Sequence, residues 1–140
     1  MPTALYRPVL RAATFYSAAV FFCGFVLGSL RIFVLLPLMD ELWAVSLELP
    51  IMLTLSWLIA RHLTRNRKDL YPAAARLWMG IWAFGLLMVA EYVLATTLMG
   101  AAPSSYFGHW ATAAGAIGLA GQIAFALIPF IQRITRRETP

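Results

Sequence analysis

Arg31, Glu41, Glu48 and Glu91 are charged side chains set within or at the edge of long apolar stretches. An ionised side chain near the middle of a bilayer costs roughly 2.5–3.5 kcal/mol on insertion scales, so such residues are expected to face a protein interior and meet one another. Arginine's fork of donors can bridge two carboxylates. One cation against Glu48 and Glu91 leaves a carboxylate over. Either a glutamate is protonated or an external cation joins the group. Carboxyl groups held in low dielectric keep their protons to higher pH, and membrane carriers use them to move protons. A purely structural role stands beside this, an Arg–Glu pair that only sets helix register. For Arg31 with one glutamate the residues alone favour neither. Glu41 reads as a solvated charge at the start of a helix.

Pro50 follows Glu48 by two positions. It lacks a backbone donor and crowds the carbonyl of Ser46, which makes it a candidate helix break beside the carboxylate. An ordinary proline tolerated near a helix start is the alternative. Gln122 reads as an interhelical hydrogen-bonding group, with Thr54 and Ser56 as candidate partners.

No metal site is expected. His62 and His109 fall at opposite ends of their segments, about 30 Å apart if these cross a membrane. No catalytic residue set and no cofactor are expected either: HExxH, a Gly-rich phosphate loop, CxxC and a nucleophile elbow are all missing from the sequence. The single cysteine, Cys23, sits in an apolar run and reads as a small packing residue. Phe21 and Phe22 before it do not suit a lipoprotein site. The uncharged run Ala12 to Leu30 exceeds the roughly 7–15 residues of a signal-peptide core, so it reads as a span.

These residues need elements to position them. The 140-residue chain is 61% hydrophobic and only 12% charged, with mean hydropathy +0.76. A water-soluble fold of this size could not hide so much apolar surface. About 20 mostly apolar residues cross the hydrocarbon as a helix. Four stretches qualify, at about 12–38, 42–60, 77–99 and 107–131, with a basic loop at 61–76 and the turn GAAPSS (100–105) dividing the last two. The expected fold is an all-α integral membrane protein, one domain, a four-transmembrane-helix bundle.

The net charge of +5 does not indicate nucleic acid binding, because no basic run is interleaved with aromatics. Every basic residue except Arg31 lies before the first segment, in the 61–76 loop or after the last segment. By the positive-inside rule the N-terminus, that loop and the C-terminus are cytoplasmic (N-in/C-in). The expected location is the inner (plasma) membrane of a bacterium. Trp43, Tyr106 and Trp110 would mark the outer interface, Tyr71 and Trp78 the inner one. The Arg65–Lys68 run would attract anionic lipid headgroups. Strong charge bias makes any homo-oligomer parallel. The first ten and last eight residues read as loose ends.

Depth counted at 1.5 Å per residue sets Arg31 about 10 Å, Glu48 about 9 Å and Glu91 about 12 Å from the outer ends of their segments. Gly24 and Gly28 share the helix face of Arg31. Together with Gly115 and Gly118 they read as close-packing positions, within the bundle first and between copies second. The functional expectations are transport of a proton, ion or small cationic solute through an Arg31/Glu48/Glu91 site, a structural or accessory subunit of a larger membrane complex, or, third, a membrane enzyme acting on a lipid-like substrate.

Overall fold

The computed structural model describes residues 3–136. Five α-helices follow one another: α1 (Thr3–Leu30), α2 (Glu41–Thr64), α3 (Ala73–Val93), the short α4 (Pro103–His109) and α5 (Ala113–Thr135). No strand occurs among the described residues. Four segments are long and apolar enough to cross a membrane: Tyr6–Leu35, Glu41–Thr64, Ala73–Leu98 and Ala113–Thr135. They form a bundle in which α1 packs on α2 and α3, and α5 packs on the same two helices from the other side.

The first helix starts earlier and ends sooner than the hydropathy pattern predicts. It begins at Thr3 rather than near Ala12, so the expected loose start is helical from Thr3 onward. Its apolar face continues below Ala12, where Val9 is buried with Ala13 and Tyr16. At its other end the helix widens into a π turn, Arg31–Leu35, closed by Leu36 N–H donating to the Arg31 carbonyl at 2.9 Å. The turn ends directly before Pro37: Leu36 keeps a helical backbone (φ −62°, ψ −32°), and the proline after it has no N–H with which to continue the ladder. The last helix also departs from expectation. The stretch 107–131 is not one span: Phe107 to His109 belong to α4, and α5 starts at Ala113. Thr112 is the reason. Its hydroxyl accepts from Gly115 N–H at 3.0 Å, an N-cap that fixes a new helix start. Arg133 to Thr135 are helical; the rest of the expected loose tail, beyond Arg136, lies outside the described residues.

The apolar core occupies the end of the bundle near the basic loop. Val9, Ala13, Tyr16, Ala60, Leu70, Met79, Ala83 and Phe125 are all buried there. Tyr16 stacks on Phe125 with ring centroids 4.4 Å apart. Its hydroxyl donates to the Phe125 carbonyl at 2.8 Å. That carbonyl would ordinarily accept from residue 129, which is proline and has no N–H. The missing bond on α5 is thus replaced by a side chain from α1. Arg76 is 1% exposed, and its Nε donates to the Leu70 carbonyl at 2.8 Å, tying α3 to the turn that precedes it. Gln132 on α5 donates to the Trp57 carbonyl of α2 at 2.7 Å.

Close approach of helices falls on glycines other than most of those expected. At Gly80 on α3, a Cβ would collide with the Ala126 carbonyl oxygen of α5. At Gly121, it would collide with Leu49 of α2. Gly24, Gly28 and Gly118 do not bring backbones together: a Cβ would meet only the tip of Met52 at Gly24, the Arg31 guanidinium at Gly28 and nothing within 4 Å at Gly118. Gly115 is tight, but against the His109 carbonyl of the preceding turn rather than another span. Small residues permit close packing only where a partner helix crosses them, and the crossings lie elsewhere. Gly80→Ala is therefore expected to destabilise the protein by roughly 1–3 kcal/mol, as overpacking does, whereas Gly118→Ala leaves stability unchanged or slightly raised. Thermal unfolding of both variants in the same detergent checks the contrast.

Candidate functional site

At the end opposite the basic loop the bundle is open, and a cavity of about 630 Å³ runs between the helices. Its rim includes exposed Glu41, Met99 and His109. Its floor is formed by Val20, Ser56, Leu87 and Phe125, the upper edge of the core. Arg31, Glu48 and Glu91 all line it. So do Gly24, Gly28, Gly115 and Gly118. At Gly28 and Gly118 the absence of a side chain helps to make the space, whereas Gly115 fits against the His109 carbonyl.

Arg31 and Glu48 are nearly equidistant in sequence from Asp40, so the antiparallel hairpin of α1 and α2 brings them level. Nη1 of Arg31 donates to Oε2 of Glu48 at 2.8 Å. Their side chains are 29% and 13% exposed, which makes this a half-buried, charge-assisted bond. Gly28 leaves room for the guanidinium, 3.8 Å from where its Cβ would stand.

Glu91 is held differently. Nε2 of Gln122 donates to its Oε2 at 2.5 Å, across the packed pair α3 and α5. The two glutamates therefore have separate partners: among the described residues, Arg31 pairs with Glu48 alone. Gln122 bonds neither Thr54 nor Ser56. Because α5 begins at Ala113 rather than Phe107, Gln122 lies six positions nearer the start of its helix than the hydropathy count implied, about 9 Å, and so comes level with Glu91.

Pro50 does not break α2, which is continuous from Glu41 to Thr64. The proline is exposed on the outside of the bundle. Its cost is confined to one missing backbone bond, and the other bonds of the helix hold the axis. The irregular backbone lies instead at two π turns, Arg31–Leu35 and Leu94–Leu98, the second closed by Met99 N–H donating to the Leu94 carbonyl at 3.2 Å. Both edge the cavity, through Arg31 and Ile32 on one side and Leu94 and Ala95 on the other. Such turns recur at functional sites. Gly100, at φ +66°, ends the second one; Ala101 N–H closes back to the Ala95 carbonyl at 2.9 Å.

Two further groups at the cavity are not legible as such from sequence. Oε1 of Glu41 stands 3.4 Å from Nε2 of His109, linking α2 to α4 across the rim. Tyr106, on α4, packs its ring among Tyr92, Phe107 and Trp110. Its hydroxyl is buried and has no hydrogen-bond partner among the described residues. Burial and the neighbouring Glu91 charge raise its pKa above the ordinary phenol value, so the hydroxyl keeps its proton. An unpaired buried hydroxyl costs ~1–3 kcal/mol. Tyr106 and Trp110, expected from the sequence to mark an interface, line the cavity wall.

The wall carries the Arg31 guanidinium and the His109 imidazole against the carboxyl groups of Glu41, Glu48 and Glu91, so acidic groups outnumber basic ones. A few convergent polar groups in a mostly apolar concavity of this size are the usual make-up of a small-molecule site. No group of His, Cys, Asp and Glu side chains among the described residues is arranged to hold a metal ion.

If the Arg31–Glu48 bond holds the hairpin, a double-mutant cycle with Arg31→Leu and Glu48→Leu will give a coupling energy of about 0.5–3 kcal/mol in stability. Each single variant leaves a charge stranded, and the double variant loses less than the sum. Strict additivity in thermal or denaturant unfolding would contradict this.

Compared with known proteins, the chain matches no family model, no curated protein and no solved structure.

Proposed function

We propose that this chain is a membrane protein that takes up a small cationic solute or ion in the cavity and carries it across the bilayer, with Glu48 and Glu91 as exchange sites and Arg31 tuning them. The observation that carries the reading is the single cavity lined by Arg31, Glu48 and Glu91, with carboxylates in excess. It is open at one end and closed by packed core at the other. A site reached from one side and sealed from the other suits an alternating cycle, in which the core around Tyr16 and Phe125 would have to part. The test is uptake into proteoliposomes. Flux above that of empty vesicles is expected for the unmodified protein, with a loss of at least about tenfold in Glu91→Gln. The amide introduced by that substitution can still bond Gln122, so folding is expected to survive. Unchanged flux in both Glu91→Gln and Glu48→Gln would sink the transport reading.

The orientation proposed is N-in/C-in in a bacterial inner (plasma) membrane, with the cavity open to the outside. Support comes from the basic residues: Arg61, Arg65, Arg67 and Lys68 are exposed at the closed end, where anionic lipid headgroups would meet them. In a background with Cys23→Ala, the variant Ala101→Cys is expected to react with an impermeant maleimide added to intact cells. Arg67→Cys is expected to react only after lysis. The reverse pattern would invert the topology.

An accessory role in a larger membrane complex is the second reading, favoured by the Arg31–Glu48 bond, which has the geometry of a staple. It predicts that Glu48→Gln lowers yield and co-purifying partners without any flux to lose. A parallel homo-oligomer is compatible with either reading.

A further inference from the structure

Arg31 bonds Glu48 through Oε2 and Glu41 has His109 beside it, which leaves Glu91 as the carboxyl group of the cavity wall with no basic partner among the described residues. Glu91 accepts from Gln122 through Oε2, and among the described residues no protein group bonds its Oε1. The Tyr106 hydroxyl beside it is buried and unpaired among the described residues. Both line the cavity, and the remainder of the wall is largely apolar, with Phe21, Met52 and Leu87 below them. A space of about 630 Å³ is far more than a proton or a bare metal ion fills. Sites of roughly 300–1,000 Å³ hold organic molecules with an apolar body.

We propose that the cavity binds an amphipathic organic ammonium ion that carries N–H bonds. Its head donates to Oε1 of Glu91 and to the Tyr106 oxygen, and its apolar body lies against Phe21, Met52 and Leu87. This rests on the cation-binding reading above and narrows it to a ligand class. The unbonded Oε1 of Glu91 is an acceptor and the Tyr106 hydroxyl can accept as well as donate, so a ligand that supplies N–H donors can serve both. A quaternary ammonium has none and relies on open ring faces. The Tyr106 ring is already engaged by Tyr92, Phe107 and Trp110. Tyr106 is thereby assigned as a specificity-determining residue, and a hydroxyl that bonds no described protein group makes that role separable from folding.

The test is equilibrium binding by calorimetry to the purified full chain in lipid nanodiscs. Three probes are compared: 2-phenylethylammonium, its N-trimethylated analogue and methylammonium. The primary arylalkyl ion is expected to bind at least ~10-fold more tightly than either comparator, since one loses the charged hydrogen bonds and the other the apolar contact. Tyr106→Phe is expected to weaken it by ~10-fold, with an unfolding temperature equal to or above that of the unmodified protein. A merely structural Tyr106 would lower stability and leave affinity alone. Glu91→Gln is expected to weaken it further. Equal binding of the primary and quaternary ions, an unchanged affinity in Tyr106→Phe, or no binding of any probe would each overturn the proposal. Binding in the expected order without vesicle uptake leaves this assignment standing and removes translocation. Flux of protons or inorganic cations with no binding of the arylalkyl ion does the opposite.

Discussion

An apolar bundle offers a polar group no water to fall back on, so each buried donor and acceptor has to find a partner on a neighbouring helix. Much of this structure follows from that constraint. Pro129 removes a donor from α5, and Tyr16 reaches across from α1 to serve the carbonyl that is freed. Gln132 spans to the backbone of α2, and Arg76 to the turn ahead of its own helix. Arg31 takes Glu48, and Gln122 takes Glu91. These bonds join pairs of helices that non-directional apolar packing alone would leave free to slide.

The same constraint divides the bundle in two. Near the basic loop, Tyr16, Arg76 and the Nε2 of Gln132 donate to backbone carbonyls, the Gln132 Oε1 is left without a partner among the described residues, and apolar side chains pack between the helices. Toward the other end, carboxyl groups exceed their cationic partners and the helices part around a cavity. The π turns that end the first and third spans lie at its edge. Arg31 belongs to one of these turns, so the charged site and the irregular backbone share a residue. A densely packed half therefore supports a half in which the helices stand apart around the cavity.

Glycine shows how far a local pattern can be trusted. Gly24 and Gly28 have the spacing of a helix-crossing motif, yet they open space for Met52 and Arg31 at a cavity wall. Gly80 has no small partner at that spacing to draw attention to it. It is nevertheless where α3 and α5 come too close for a Cβ, because the register of the two helices puts Ala126 against it. Thr112 was readable in principle: a threonine followed by Ala-Ala-Gly is a fair helix start. The uninterrupted apolar run around it hid the boundary.

Composition and hydropathy by themselves determined four apolar helices and a short first connection that sets Arg31 and Glu48 level with each other. These follow from the length of chain a helix needs and from counting residues along it. The exposure of Pro50 and the pairing of Gln122 with Glu91 were settled only by tertiary structure, because both depend on how the helices are rotated and where α5 begins. So was the pairing of Arg31 with Glu48 alone, with Glu91 bonded to a neutral amide across the same cavity. Counting gives a charge its depth along a helix axis. Its partner is chosen by azimuth and by the neighbours across the bundle, which no single helix encodes.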